Sequence, residues 1–353
     1  MLKRKDGIFL QSYLKSLKCG EIMVASKVIP PRVLLVGAAG HQSLEYHSLL
    51  KNDLIFSGFV DPELKKMKSL YKGCEGALFS NVESAIKNSD FDMALVCVPH
   101  NLHNHITLQL LANKKIVIKE KPLALSTSEI NQYKSLDYLK FFTIVQRQYN
   151  PIFINAKQDL PLIGKVYSYQ YNYSLKIPEV TQGWRSEYES SRGGVLMDMG
   201  YHVLDILLSF FGEPSNLMGT VSYCYDAMKY ENLEDSISII LDYKKKGLHG
   251  TVNLNRHSSI KKEEFEINGR DGTILLTPRQ YTIFDRKGVV IKKFANEKSD
   301  FRKKMIMQYI KFVNDFEFID NHFNHHVKIV QLIENFYGLK KLCKEKKDEK
   351  SKI

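Results

Sequence analysis

The chain has few cysteines and no long apolar run, and both scarcities exclude classes of protein. Its five cysteines among 353 residues are odd in number, widely spaced and free of any C-x-x-C pair, which argues against a disulfide framework or a zinc site. No unbroken apolar run approaches the roughly 18 residues of a membrane span. Gln11, Ser12 and Lys15 interrupt any signal-peptide core. We therefore expect a reduced, cytoplasmic protein without a membrane partner.

The formal net charge of +12 is concentrated at the two ends of the chain. Lys3, Arg4 and Lys5 lie at one end, and seven lysines lie between Lys340 and Lys352 at the other. Charge runs at termini are usually solvated, and no nucleic-acid-binding motif accompanies them. The sequence therefore predicts no nucleic-acid partner. The same positive field would attract an anionic substrate, such as a nucleotide sugar or sugar phosphate.

A strand–helix–strand pattern occupies the middle of the first half. Met93 to Val98 is a short, β-branched apolar run, a helical pattern follows, and Ile116 to Ile118 is a second apolar run. This order predicts a parallel βαβ unit with a right-handed crossover. Ligands bind beyond the carboxyl ends of such strands, so we expect Pro99 and the triplet Glu120-Lys121-Pro122 at a ligand edge. A lysine there is either solvated or catalytic, and position alone does not choose between them.

A small-residue turn follows the first predicted strand, Val33 to Val36. It contains Gly37, Ala38, Ala39 and Gly40, although Ala39 and Gln42 replace two glycines of the strict dinucleotide-binding pattern. A second strand, Ile55 to Val60, ends at Asp61, where a carboxylate would accept hydrogen bonds from an adenosine ribose. Because a carboxylate repels a 2′-phosphate, the pattern favours NAD over NADP.

Two motifs together resemble the Gfo/Idh/MocA family of oxidoreductases. They are VPHNLHNHI…KKIVIKEKPLALS, which includes Lys121, and the later D-x-G-x-H motif of Asp198 and His202. The resemblance covers roughly Arg32 to Leu342. It implies an α/β protein with an N-terminal Rossmann dinucleotide-binding domain and a C-terminal α+β domain whose open sheet is large and mostly antiparallel. We expect boundaries at 32–148 and 149–342, flanked by an N-terminal extension, 1–31, and a basic tail, 343–353.

The resemblance also implies roles for individual residues. His202 is the expected general base, Lys121 the donor to the reacting oxygen, and Asp198 the group that orients one or both, although Lys121 and His202 could exchange roles. Because Asp198 and His202 are four residues apart, we expect them on one face of a helix. The expected cofactor-binding residues are Gly37, Ala38, Ala39, Gly40, Asp61, Pro99, His103 and Glu120. The expected substrate-binding residues are Lys121, Tyr149, Arg185 and His202.

The resemblance implies NAD-dependent hydride transfer to or from a secondary alcohol of a sugar, an inositol or a nucleotide-linked sugar. Two alternatives stay open: an NAD-assisted, glycosidase-like enzyme without net redox change, and a non-catalytic dinucleotide-binding regulator. His100, His103 and His105 lack a nearby cysteine or carboxylate to complete a metal site, so no metal is predicted. The exposed face of a large sheet favours a homodimer or homotetramer.

Further patterns predict individual elements. The alternating aromatic and polar residues of Lys165 to Ser174 indicate a strand whose tyrosines pack on helices or form a substrate floor. Another strand is predicted at Ser222 to Tyr225. Apolar spacing at the N-terminus indicates a short helix there. Helices at Phe301 to Phe318 and His326 to Leu342 are expected to close the second domain, with His325-His326 in a loop.

Overall fold

The computed structural model of the chain describes residues 30–136, 139–177, 181–296 and 300–350, with side chains described as far as residue 339. Within these residues, six parallel strands form a first sheet. The strands are Arg32–Val36 (β1), Ile55–Val60 (β2), Ala77–Phe79 (β3), Met93–Val96 (β4), Ile116–Glu120 (β5) and Phe141–Ile144 (β6). Their order is β3-β2-β1-β4-β5-β6. The helices between them are His41–Leu50 (α1), Leu64–Leu70 (α2), Val82–Asn88 (α3), His100–Ala112 (α4) and Thr127–Lys134 (α5).

Eight further strands of the described chain form a second, mostly antiparallel sheet. They are Val166–Lys176 (β7), Asn216–Ser222 (β8), Ser236–Tyr243 (β9), Leu248–Asn255 (β10), His257–Gly269 (β11), Gly272–Thr277 (β12), Gln280–Asp285 (β13) and Val290–Ala295 (β14). Their order is β14-β13-β12-β11-β7-β10-β9-β8. The remaining helices are Pro151–Gln158 (α6), Tyr188–Ser191 (α7), Tyr201–Phe211 (α8), Asp226–Tyr230 (α9), Phe301–Lys311 (α10) and Phe316–Lys350 (α11).

These two sheets confirm the predicted fold class. β4 and β5 pair in parallel, with Met93 opposite Ile116, and α4 connects them, as the βαβ pattern predicted. All four residues of β4 are buried, because helices cover both faces of the parallel sheet. By contrast, β9 alternates buried and exposed positions, because only one face of the second sheet is covered.

One helical stretch is apolar on average, although polar residues interrupt it. Tyr188–Phe211, 24 residues with a mean hydropathy of 1.4, is long and apolar enough to cross a membrane by length and composition. However, 78% of its most apolar window is buried inside the protein. The core helix α8 accounts for this burial, since seven of its residues pack in the main hydrophobic core: Tyr201, Val203, Leu204, Ile206, Leu207, Leu208 and Phe211.

The C-terminal helices pack on the first sheet as well as on the second domain, which differs from the expectation that they close the second domain. In α10, Tyr309 stacks on Phe142 of β6 with ring centroids 4.9 Å apart, and its hydroxyl donates to the carbonyl of Thr143. The backbone N–H of Thr143 donates to His322 of α11. The C-terminal helices therefore pack on the last strand of the first sheet.

Three predicted boundaries were wrong. Tyr223 to Tyr225 lie outside β8, because the N–H of Cys224 donates to the carboxylate of Asp235 instead of joining the ladder. His325-His326 is helical, and buried His326 stacks on Tyr201. The helix predicted at Phe301 to Phe318 is divided between α10 and α11. The strand β14 was not predicted, and the predicted N-terminal helix lies outside the described residues.

Candidate active site

The turn after β1 is held tightly against the neighbouring strands. Gly37 has φ +79°, and a Cβ added there would lie 2.3 Å from the carbonyl oxygen of Cys97, so this position requires glycine. The N–H groups of Gly37 and Ala38 both donate to the carbonyl of Val60. The N–H of Ala39 donates to Asp61 Oδ2 at 3.0 Å. The turn and the end of β2 therefore form one rigid edge.

A groove of about 790 Å³ opens at this edge of the first sheet. The predicted cofactor-binding residues that line it are Gly37, Ala39, Gly40, Asp61, Pro99 and Glu120. Ala38 is fully buried and is not part of the lining. Gln42 lines the groove, so the departure from the strict glycine pattern leaves it open. A groove of this volume, lined by a glycine turn and by the carboxylate at the end of β2, fits a dinucleotide.

His103 lies behind the groove rather than in its lining. It is 1% exposed, with Nε2 2.9 Å from the carbonyl oxygen of Val98 and Nδ1 3.4 Å from Lys119 Nζ. His100 lines the groove instead. Its Nδ1 lies 2.8 Å from the carbonyl oxygen of Ser191, and its ring packs against Trp184. Of His100 and His103, the one that lines the groove is therefore His100, which begins α4.

A second pocket, of about 400 Å³, adjoins the groove. It lies between the end of the first sheet and the second sheet, and its lining includes Asp198, His202 and Tyr173. The two cavities share five lining residues: Gln42, Glu120, Lys121, Trp184 and Arg185. A ligand in the groove would therefore meet a ligand in the second pocket beside Lys121.

Lys121 and Asp198 form the ion pair at this junction. Lys121 Nζ lies 2.5 Å from Asp198 Oδ1, and Arg185 Nε donates to Asp198 Oδ2 at 3.2 Å. Burial would raise the pKa of Asp198, but the charges of Lys121 and Arg185 outweigh it and hold that pKa well below its usual range. Asp198 is therefore a carboxylate at neutral pH. The Lys121–Pro122 peptide bond is cis.

The helix that carries Asp198 begins with a π turn rather than a regular α-turn. Leu196–Gly200 has the wider i→i+5 bonding, and the α-helix with His202 follows directly. Asp198 and His202 both line the second pocket, on the same side of this helical segment. Within the described residues, Asp198 has no hydrogen bond to His202 and is bound by Lys121 and Arg185.

His202 lines the second pocket and, within the described ranges, has one unpaired ring nitrogen. Its Nδ1 is buried and has no hydrogen-bond partner among the described residues. Burial, followed by the positive charges of Arg147 and Lys121, holds the pKa of His202 well below its usual range. At neutral pH the imidazole is therefore neutral, and a neutral imidazole is able to accept a proton.

Hydrogen bonds and ion pairs from other elements surround this junction, and neither Tyr46 nor Glu263 belongs to a recognisable sequence motif. Tyr46 of α1 donates to Glu120 at 2.5 Å. Arg147 forms a two-point ion pair with Glu263, at 2.7 and 3.0 Å, and Tyr171 donates to the same carboxylate. Arg147 is therefore a buried charge that joins the end of β6 to the second sheet.

Two predicted substrate features lie apart from the junction. Tyr149 lines a separate cavity and packs against Tyr309 with ring centroids 5.9 Å apart. Of the β7 tyrosines, Tyr169 and Tyr171 are buried in the core, and Tyr173 borders the second pocket. The alternation in β7 therefore reports packing against helices, with one tyrosine left for the pocket.

No group of three or more His, Cys, Asp or Glu residues within the described ranges could hold a metal ion. His100 and His103 make the separate contacts given above. Their spacing in the sequence therefore does not bring their ring nitrogens to a common point.

Two family models match the chain. One, described as the oxidoreductase family with an NAD-binding Rossmann fold, matches residues 31–137. The other, the GFO/IDH/MocA C-terminal domain, matches residues 161–275. Together they cover β1 to β5 of the first sheet and β7 to β11 of the second, and the second match ends within β12.

Curated relatives match part of the chain. An uncharacterized oxidoreductase of Escherichia coli is 23% identical over 210 residues, which are 56% of this chain and 61% of that protein. The scyllo-inositol 2-dehydrogenase (NADP(+)) of Bacillus subtilis is 25% identical over 201 residues, 55% of this chain and 54% of that protein. The matches thus span less than two thirds of these relatives' length.

Solved structures share the fold over most of both chains. An oxidoreductase from Thermotoga maritima superposes with a TM-score of 0.74 at 18% identity, covering 87% of this chain and 95% of that one. The WlbA dehydrogenase from Bordetella pertussis, solved with NADH and UDP-GlcNAcA, gives 0.71 at 16% identity, covering 88% and 96%. At this level of identity the likeness concerns the fold.

Proposed function

The chain belongs to the Gfo/Idh/MocA family of oxidoreductases, and on that premise we propose that it is an NAD-dependent dehydrogenase of a secondary alcohol. The substrate class is a sugar, an inositol or a nucleotide-linked sugar. The observation that carries the proposal is the junction of two cavities at Lys121. A hydride transfer needs a cofactor site and an alcohol site that meet at one charged group.

The groove residues would hold the cofactor. Gly37 allows close approach of backbone to a pyrophosphate, and Asp61 is the acceptor for ribose hydroxyls. Its carboxylate supports NAD as the cofactor, with NADP disfavoured by charge. When bound, the nicotinamide supplies the hydride acceptor.

The side chains of the second pocket manage the proton and the charge on oxygen. As hydride leaves the alcohol carbon, its hydroxyl proton passes to the neutral imidazole of His202, and the carbon becomes a carbonyl. Lys121 donates to the reacting oxygen and stabilises the negative charge that develops there. Asp198 positions Lys121 through their 2.5 Å contact. An ammonium that donates to a carboxylate has no lone pair for the alcohol proton, which favours His202 over Lys121 as base.

Net NADH formation tests the proposal. The purified chain is incubated with NAD and, separately, inositols, free sugars and nucleotide sugars, while NADH absorbance and carbonyl product are followed. We expect stoichiometric NADH and carbonyl with one class. Product without net NADH would favour the non-redox alternative, and failure to bind NAD would overturn the proposal. Trp184 is the sole tryptophan and lines the groove, so its fluorescence reports NAD binding directly.

We also propose a homodimer or homotetramer in the cytoplasm. Exposed apolar side chains on the outer face of the second sheet, Met218, Ile240 and Leu275, support self-association. Cys74, Cys97 and Cys224 are free thiols, which supports a reducing compartment. A monomer mass in light scattering would refute the oligomer. Recovery of the protein outside the cytoplasmic fraction would refute the cytoplasmic location.

A further inference from the structure

We infer that the substrate carries an anionic group, a carboxylate or phosphate, and that Arg256 is its receptor in the second pocket. The inference rests on the proposed function, because it concerns the same pocket. It adds a chemical class that the hydride-transfer chemistry does not require: neutral inositols and neutral sugars contain all the groups that oxidation needs.

Arg256 is an unusually buried cation for a pocket wall. It lies between β10 and β11, is 2% exposed and lines the second pocket. Its Nε donates to Asp235 Oδ1 at 3.1 Å, whereas its Nη2 is buried and has no hydrogen-bond partner among the described residues. Leaving a buried guanidinium donor unpaired is costly. A ligand oxygen would remove that cost.

The guanidinium of Arg256 is held in place by Asp235, which does not line the pocket. Asp235 accepts from both Arg256 Nε and His257 Nε2 through Oδ1, and from the N–H of Cys224 through Oδ2. The backbone N–H of Arg256 donates to the carbonyl of Asp235 as well. Such a preorganised fork binds carboxylate or phosphate oxygens with little loss of side-chain entropy.

The charged side chains around the pocket are paired. Lys121, Arg185, Arg256 and Arg302 line it together with the carboxylates Glu120 and Asp198, and Asp235, Glu45 and Asp300, which do not line it, pair with Arg256 and Arg302. Both carboxylates have partners already, since Asp198 is bound by Lys121 and Arg185, and Glu120 by Tyr46. An incoming anion therefore meets cations without an unpaired carboxylate to oppose it.

The experiment compares binding of matched probes to the NAD-loaded protein. Glucose is the neutral probe, glucuronate places a carboxylate on the same ring, glucose 6-phosphate places a phosphate there, and UDP-glucose places a diphosphate at the other end. Dissociation constants are measured by calorimetry for wild type, Arg256→Gln and Arg256→Lys. Arg270→Gln is the control, since Arg270 is a surface arginine paired only with its neighbour Asp271 in the described residues.

We expect wild type to bind at least one anionic probe more tightly than glucose. Arg256→Gln should weaken that probe roughly tenfold to a hundredfold, the effect of losing a charged hydrogen bond, and should change glucose binding less than about threefold. The probe that responds identifies the anion's source. Arg256→Lys should fall between, because it keeps the charge and loses the fork.

Equal weakening of charged and neutral probes, or no tighter binding of any anionic probe by wild type, would overturn the inference. Should Arg256→Gln fail to fold because Asp235 loses its guanidinium partner, the double variant Arg256→Gln with Asp235→Asn replaces it, and Arg256→Lys still gives a result. If a neutral alcohol gave net NADH and the Arg256 variants had no effect, the anionic substrate would be refuted and the dehydrogenase activity supported. If anions bound through Arg256 but NAD was never reduced, the anion site would be supported and the dehydrogenase activity refuted.

Discussion

Two lysine–histidine pairs lie on opposite sides of the end of β5, and they differ in what surrounds them. Lys119 and His103 face each other at 3.4 Å in a closed interior, with the rings of Tyr133 and Phe141 near the ammonium. Lys121 and His202 border an open pocket. Both lysines are buried, at 0% and 7% exposure, so burial does not distinguish them.

The difference is the carboxylate. Asp198 reaches Lys121 from the second domain, whereas no hydrogen bond or ion pair joins Lys119 to a carboxylate in the described part of the chain. Burial lowers the pKa of Lys119 to about 7, because a low dielectric disfavours the ammonium. The two sites therefore differ in that Lys121 has an ion-pair partner from the second domain, whereas Lys119 has no such partner among the described residues.

Replacing His202 should reduce turnover more than any other substitution. A smaller effect would contradict the contrast between the two lysine–histidine pairs. His202→Ala removes the proposed base and should lower kcat roughly 10²- to 10⁴-fold. NAD affinity, read from Trp184 fluorescence, should change little. Added imidazole should restore part of the turnover, since it fits the vacated space. Turnover at the wild-type level would show that the base lies elsewhere.

Replacing Lys121 should give the next largest effect. Lys121→Ala removes the donor to the reacting oxygen, and loss of one such donor costs roughly 10²- to 10³-fold in kcat. The matched control is Lys119→Met, a buried lysine two residues away that does not line either cavity. If both variants lost turnover equally, the distinction between the two lysines would fail.

Lys119→Met should have the smallest effect on turnover and a visible effect on stability. The folded chain holds the pKa of Lys119 at about 7 against 10.5 for an ordinary lysine. Between these values the unfolded chain binds a proton that the folded chain lacks, so the native lysine costs stability at low pH and not at high pH. Methionine removes a cost on the order of a few kcal/mol.

The stabilisation by Lys119→Met is therefore expected in full below about pH 7 and should disappear as pH rises to 10.5. Thermal unfolding of variant and wild type across this window measures it. A stability gain that stays constant with pH would mean that shape, and not charge, explains the change.

Much of the first domain follows from short stretches of sequence. The apolar runs at β4 and β5 with α4 between them specify a parallel pair. Asp61 directly follows β2 in the chain, so its place at the end of that strand also follows from local sequence. By contrast, the predicted helix at 301–318 ran past its true end. The turn at 312–315 depends on how Phe312 and Phe318 stack, which periodicity does not reveal.

Local sequence accounts for the strands, the glycine turn and the chemical types present near the cleft, because these depend on neighbours within a few residues. The pairing of Lys121 with Asp198, 77 residues apart, depends on how the two domains pack. So do the π turn that precedes His202, the placement of Tyr149 in a separate cavity, and the position of Arg256 at the wall of the pocket. Each of these arises from contacts between distant elements, whose geometry is set when both sheets are assembled.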